Sequence, residues 1–206
     1  MNNSIFKIPA AYNEPIKTFL PGSQERELLD RELARQMGLT LEIPLIINGQ
    51  KIHTPDTATA RCPHDHGHIL GTFSKAGDKE IQLAIEAALA AKPAWESMDW
   101  QDRAAIFLKA ADLISQKYTY RINAATMLNQ SKNAFQAEID ATCELVDFLR
   151  FNVQFMEEIY GNQPVSDPGI WNKTEYRPLE GFVFALTPFN FTAIAGNLCT
   201  APAMMG

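Results

Sequence analysis

The sequence predicts an α/β fold of which only the first part is present. Three observations lead there: an Asn48-Gly49 pair set between two apolar runs, a change to helical hydrophobic spacing from Asp78 onward, and a continuously apolar stretch, Phe182-Val183-Phe184-Ala185-Leu186, of the kind that forms a strand buried on both faces. Natural chain ends are usually exposed and polar, whereas Ala201-Pro202-Ala203-Met204-Met205-Gly206 reads as interior. A buried parallel strand also needs neighbours and a crossover helix, and the sequence stops before a second such strand. The chain is therefore expected to be cut short.

Composition bounds the function classes. The 206 residues, more than one average domain and less than two, are 46% hydrophobic and 20% charged, which excludes a disordered or collagen-like chain. A formal charge of −6 argues against capture of nucleic acid or anionic membranes. The 3 cysteines, Cys62, Cys143 and Cys199, are too scattered for a disulfide framework, and no targeting segment opens the chain, so a reducing compartment is expected: the cytoplasm, or the mitochondrial matrix in a eukaryote. Residues 181–206 carry no charge over 26 positions, but Pro188, Asn190, Asn197 and Pro202 interrupt them, which suits a buried strand better than a membrane span.

Taken in order, residues 1–40 hold Pro9, Pro15, Pro21 and Gly22 and then Leu28, Leu29 and Leu33 among charges, which predicts an extended arm and one short helix over 23–37. Asn48-Gly49 supplies the positive φ angles of a tight hairpin over 44–53. Residues 56–67 are polar and turn-rich, and 69–73 form a short strand. Ile81, Ala84, Ile85, Ala88 and Leu89 define an amphipathic helix from Asp78 to near Pro93. Asp99 is placed to cap a second helix with Phe107, Leu108, Ala111 and Ile114 on one face, and a third follows around Ile122, Ala125 and Leu128, giving an antiparallel stack. Residues 135–159 read as one long helix, 174–177 as a strand, 182–186 as the buried strand, and helix resumes at Gly196.

Three places hold candidate chemistry. Cys62, His64, His66 and His68 put four potential metal ligands in seven residues, but no second cluster exists to close a tetrahedral site, so a solvated turn is preferred and no metal is expected. On the long helix, successive residues turn by about 100°, so with Glu138 at zero Asp140, Glu144 and Asp147 fall near 200°, 240° and 180° and form an acidic stripe, read as a solvated face. Glu138 lies opposite, among Phe135, Thr142, Leu145, Leu149 and Met156, where a carboxylate needs either a structural partner or a function. Thr187-Pro188-Phe189-Asn190-Phe191 follows the predicted buried strand, the end at which α/β folds bind ligands. Asn190 there either caps a helix, which the pattern favours, or aims its amide at a developing oxyanion. No Gly-x-Gly-x-x-Gly or Walker phosphate loop is present.

Gln136-Ala137-Glu138-Ile139-Asp140, Asp147-Phe148-Leu149-Arg150-Phe151-Asn152, Tyr176-Arg177-Pro178-Leu179-Glu180-Gly181-Phe182 and Pro188-Phe189-Asn190-Phe191-Thr192-Ala193-Ile194 resemble motifs of the NAD-dependent aldehyde dehydrogenases. Within them the likeness is to the branch that oxidises L-glutamate gamma-semialdehyde to L-glutamate in proline degradation. It spans about Glu42 to Gly206, and the Asn13-Glu14-Pro15 arm is similar as well. The resemblance implies that residues 41–206 are the incomplete N-terminal part of a cofactor-binding domain, that 172–180 form a bridging strand used in oligomerisation, and that the full-length protein is a homo-oligomer. It assigns the side-chain half of an oxyanion hole to Asn190, the nicotinamide side of bound NAD to Thr187, Pro188 and Phe189, the aldehyde channel to Phe191 and the substrate's polar end to Glu138. The family's nucleophilic Cys and general-base Glu would lie beyond Gly206, so these residues alone should not catalyse oxidation. The rival expectation is a non-catalytic helical interaction module or a metal-binding one.

Overall fold

The sharpest local signal, Asn48-Gly49, forms the turn that its residue types demand. In the computed structural model, which describes residues 5–206, β2 (Leu45–Ile47) and β3 (Gln50–Ile52) pair antiparallel with Ile47 opposite Gln50. Asn48 and Gly49 carry φ of 51° and 72°, the positive pair that a two-residue hairpin loop of matching twist requires. Residues 1–4 of the expected arm lie outside the described residues. Helix α1 (Gln24–Met37) starts where Ser23 Oγ accepts the Arg26 N–H at 3.3 Å, and its Leu29 is buried with Phe19 and Ala124.

The polar stretch 56–67 differs from expectation. Most of it is strand β4 (Thr57–Cys62), which reverses at Pro63-His64 into β5 (Asp65–Ser74), ten residues long rather than the five of 69–73. The alternation was present but faint: Ala58, Ala60 and Cys62 turn inward and Thr57, Thr59 and Arg61 outward, so small inner side chains gave little hydrophobic contrast. Strand β1 (Leu41–Ile43) pairs parallel with β5, giving the order β1-β5-β4. Gly71 makes this close approach possible, since a Cβ there would come within 2.3 Å of the Leu41 carbonyl oxygen.

Helix α2 (Asp78–Glu96) continues past Pro93 and buries no side chain. Helix α3 (Trp100–Leu113) begins at Asp99 as expected, but the Asp99 side chain makes no capping bond; its carbonyl accepts the N–H groups of Asp102 and Arg103. No loop separates the second and third helices. A π-helical turn (Ile114–Tyr118) leads directly into α4 (Thr119–Gln130), with the Thr119 hydroxyl donating to the carbonyls of Ile114 and Ser115 at 2.9 and 2.6 Å. The face α4 buries is Asn123, Ala124, Thr126 and Leu128; Ile122 and Ala125 instead line an open groove of about 960 Å³ facing the sheet.

The long helix forms, but it is not uniform. It runs as α5 (Ala134–Ala137), a π-helical turn (Glu138–Cys143) and α6 (Glu144–Gly161), and it begins with the reciprocal bonds of Asn133 and Gln136. The final helix, α7 (Thr192–Met204), starts four residues before the expected Gly196. Phe107 and Ala111 of α3, Val146, Leu149, Val153 and Met156 of α6, and Ala193 and Met204 of α7 form the main core.

The largest departure lies between α6 and α7. Residues 174–177 and 182–186, expected as strands, pair with nothing among the described residues, and Phe182, Phe184 and Leu186 are 48%, 80% and 79% exposed. An apolar run specifies that a strand should be buried but not by what, and no neighbouring strand is available here to complete a ladder. Residues 172–180 likewise form no strand; Leu179 N–H donates to the Gly206 carbonyl at 2.8 Å and Tyr176 Oη to the Asn162 carbonyl at 2.8 Å.

Because the Leu41 backbone cannot retreat without breaking the β1–β5 pairing, Gly71→Ala should destabilise the protein by about 1–3 kcal/mol. Gly67→Ala, on the same strand, meets only the Asp65 carboxylate at 3.5 Å and should stay within about 0.5 kcal/mol of the parent. Urea unfolding midpoints check both, and equal effects would mean that the close approach at Gly71 has no energetic weight.

Candidate active site

Helix α4 ends at Ser131, whose left-handed φ of 56° turns the chain sharply and sends the next residue, Lys132, back toward the start of α7. Lys132 Nζ donates to the backbone carbonyl of Asn190 at 2.6 Å, forms an ion pair with Asp140 and lies 4.6 Å from the centroid of the Phe191 ring. One residue further on, Thr192 Oγ1 is held by Thr126 Oγ1 at 2.8 Å and by Gln130 Nε2 at 3.0 Å. The segment 187–192 that leads into α7 is thus anchored at its last three residues by the end of α4 and the π turn of the long helix.

The helix-cap role that the pattern favoured for Asn190 does not form. Phe191 occupies the cap position of α7, and no side-chain bond caps that helix. Asn190 is half-buried, its carbonyl is pinned by Lys132, and no hydrogen bond engages its side-chain amide among the described residues. Such an amide has two N–H donors to offer. Beside it Thr187 and Phe189 are exposed, Phe189 by 91%, while Pro188 is half-buried and Phe191 39% exposed. These five residues make one neutral, largely apolar surface around a free polar donor.

Glu138 is elsewhere and completely enclosed. Its Oε1 accepts from the Lys17 backbone N–H at 3.1 Å and from Lys17 Nζ at 3.3 Å; its Oε2 accepts from Asn123 Nδ2 at 2.6 Å, and Asn123 Oδ1 in turn accepts from the Thr142 hydroxyl at 2.7 Å. Both oxygens are therefore used within the fold. Cys143 Sγ lies 3.7 Å from Oε1, and burial, reinforced by the neighbouring Glu138 charge, pushes its thiol pKa up to about 12.

The acidic stripe is not a solvated face. Asp140 pairs with Lys132, and Asp147 accepts from the Glu14 backbone N–H and from Asn13 Nδ2, both at 2.7 Å. Glu14 then bonds Arg150 Nη1 at 2.8 Å and the Ser115 hydroxyl at 2.7 Å. Burial and the Asp140 charge raise the Glu144 carboxyl above its ordinary range. Helical periodicity defines a face but not the distant segment that covers it, and here the arm covers much of this one.

In the Cys62-to-His68 segment the β4–β5 reversal brings His64 against Cys62 and leaves His66 facing outward. The His64 ring nitrogens lie 3.2 and 3.5 Å from Cys62 Sγ, His64 Nδ1 is 2.9 Å from the Ser131 hydroxyl, and His66 is exposed on β5. Among the described residues no three His, Cys, Asp or Glu side chains converge as metal ligands, and no helix is long and apolar enough to cross a membrane. Lys132 and Asp140 are the residues that sequence reasoning missed. The available signal was a lone lysine between Ser131 and Asn133 just ahead of the long helix, which reads as an ordinary turn until its partners 8 and 58 residues away are seen.

Known proteins resemble this arrangement closely. The aldehyde dehydrogenase family model matches residues 51–206. The delta-1-pyrroline-5-carboxylate dehydrogenase of Agaricus bisporus is 55% identical over 203 residues, covering 98% of this chain and 37% of that protein. The mitochondrial delta-1-pyrroline-5-carboxylate dehydrogenase of Emericella nidulans is 51% identical over 203 residues, with coverage of 98% and 35%. Among solved structures, the Mycobacterium tuberculosis delta-pyrroline-5-carboxylate dehydrogenase bound with NAD has a TM-score of 0.98 at 47% identity, covering 100% of this chain and 38% of that one. The chain thus spans a little over a third of the length of the curated relatives it matches.

The thiols give a direct check of the site's boundaries. Only a thiolate attacks an alkylating agent, so with its pKa at about 12 and its side chain buried, Cys143 should resist iodoacetamide near pH 8 while exposed Cys199 reacts. Peptide mass spectrometry reads the two rates, and guanidinium should equalise them. Native Cys143 labelled as fast as Cys199 would show that its thiol is neither enclosed nor held neutral.

Proposed function

This chain belongs to the aldehyde dehydrogenase family, and from that premise we propose that it is the N-terminal part of an NAD-dependent enzyme that oxidises L-glutamate gamma-semialdehyde, formed from delta-1-pyrroline-5-carboxylate, to L-glutamate. The substrate assignment rests on the relatives that share half of their aligned residues with it and are named for that reaction. The observation that carries the site assignment is the unengaged amide of Asn190 on a backbone fixed by Lys132.

The residues present suit a nicotinamide in one respect. Residues 181–206 carry no charge, and exposed Thr187 and Phe189 flank Asn190 with neutral surface, while no glycine-rich phosphate loop is among them. Thr187, Pro188 and Phe189 would hold the nicotinamide side. When bound, NAD supplies the hydride acceptor. The chain's own contribution is electrostatic: Asn190 donates an N–H to the aldehyde oxygen as that oxygen gains charge, and Phe191 borders the aldehyde channel. Glu138 would meet a substrate's polar end only by giving up Lys17 or Asn123; in the fold as it stands it holds the arm. The family resemblance assigns the nucleophile and base to other parts of the full-length protein; of the cysteines here Cys62 and Cys143 are buried, and exposed Cys199 on α7 makes no side-chain hydrogen bond among the described residues. That the full-length protein is a homo-oligomer rests on the family resemblance. The compartment is the cytoplasm, or the mitochondrial matrix in a eukaryote.

In the full-length enzyme Asn190→Ala should lower kcat by about a hundredfold or more, as loss of an oxyanion donor does, with NAD affinity little changed. Near-wild-type kcat would sink the assignment. The 206 residues by themselves should turn over no glutamate semialdehyde. Activity abolished by mutating one of the cysteines would place the nucleophile within them.

A further inference from the structure

We propose that Lys132 is a positioning residue that sets the direction of the Asn190 amide, an inference that rests on the oxyanion reading of Asn190. The ammonium of Lys132 has three N–H donors, and three partners surround it: the Asn190 carbonyl oxygen at 2.6 Å, the Asp140 carboxylate and the face of the Phe191 ring at 4.6 Å. Peptide groups are planar, so holding the Asn190 carbonyl holds the plane that contains the Asn190 Cα, which fixes the point from which its side chain starts and narrows the directions open to it. Phe191, the next residue, is held by the same ammonium, and Thr192 by Thr126 and Gln130. Among the described residues Lys132 is therefore the one side chain that grips Asn190 itself.

The surroundings of the pair point the same way. Lys132 and Asp140 side chains are only 17% and 9% exposed, and Asp140 Oδ1 is buried with no partner among the described residues. A pair this enclosed is weak evidence for a stabilising role, since its attraction must first offset the desolvation of both charges. What the pair does accomplish is to hold an ammonium in one place against a backbone carbonyl, next to a side-chain amide that nothing else engages. The π turn carries Asp140 toward Lys132 while Glu138, two residues earlier, faces the arm.

The test is a set of variants of the full-length enzyme: Lys132→Met, Lys132→Arg, Asn190→Ala and the double variant Lys132→Met with Asn190→Ala. A displacement of the donor by about 1 Å can cost about a hundredfold in rate, so Lys132→Met should lower kcat per folded enzyme at least about tenfold while the KM for NAD moves little; the melting temperature should fall in both backgrounds alike, because Asp140 is left buried without its cation. Lys132→Arg, which keeps a cationic donor, should recover part of that loss. In the Asn190→Ala background Lys132→Met should cost less than about twofold, because the lysine acts only through the amide that has been removed. Loss of the same size in both backgrounds, or a wild-type kcat in Lys132→Met, would overturn this inference alone. A wild-type kcat in Asn190→Ala would overturn the oxyanion reading and this inference with it. If Lys132→Met does not fold, Asp140→Asn is measured in both backgrounds instead, with a smaller loss of kcat expected only where Asn190 is intact; an equal loss in both would again overturn the proposal.

Discussion

A carboxylate with no exposure to water must find donors for its oxygens, and Glu138 finds them in two distant parts of the chain. Lys17 approaches from the arm with its backbone N–H and its ammonium, Asn123 from α4 with its amide, and Thr142 completes the circuit from within the π turn. None of these groups can be satisfied alone. The arm cannot lift without exposing the carboxylate, and α4 cannot slide without uncoupling Asn123. This explains why α4 buries Asn123; Thr126 is buried against Thr192 instead, and of the expected apolar positions Leu128 is buried while Ile122 and Ala125 line the groove.

The same π turn serves the other side of the helix. Glu138 and Asp140 are two residues apart and belong to different networks, one with the arm and one with Lys132 and the Asn190 backbone. A single wide turn therefore couples the docking of the N-terminal arm to the placement of the segment that leads into α7. Downstream, Asp147 and Arg150 continue the first network by holding residues 12–14, so the arm is fixed along several turns of α6.

What could be read in the sequence divides along a physical line. Features set by one residue type or by local period were legible: the Asn48-Gly49 turn, the short helix after the arm, the course of the long helix and the inward direction of Glu138. Features that depend on a distant partner were not. Residues 182–186 have the composition of a buried strand, but burial needs a neighbour, and in this chain they are exposed. Asp140 and Asp147 had the spacing of a solvated face until Lys132 and the arm were seen to meet them. Strand β4 escaped notice for a different reason, since Ala58 and Ala60 bury too little to mark a face. Asn190 could be placed at a strand's end by sequence, but the choice between cap and free donor needed the position of α7.

The pattern of satisfied and unsatisfied groups also separates what maintains the fold from what serves the site. Glu138 and Glu14 have both oxygens bonded, and each joins elements far apart in sequence, as a structural network should. Asp140 differs: one oxygen meets Lys132 and the other is buried without a partner among the described residues. Folding free energy alone gives little reason to retain such a pair, since the attraction within a buried ion pair often does no more than offset the desolvation of its charges. The pair is instead found where the chain also leaves the Asn190 amide free and surrounds it with neutral surface. Two incompletely bonded polar groups joined by one lysine are a weak way to build a core. They are a sound way to hold a donor ready for charge that develops only when a substrate is bound.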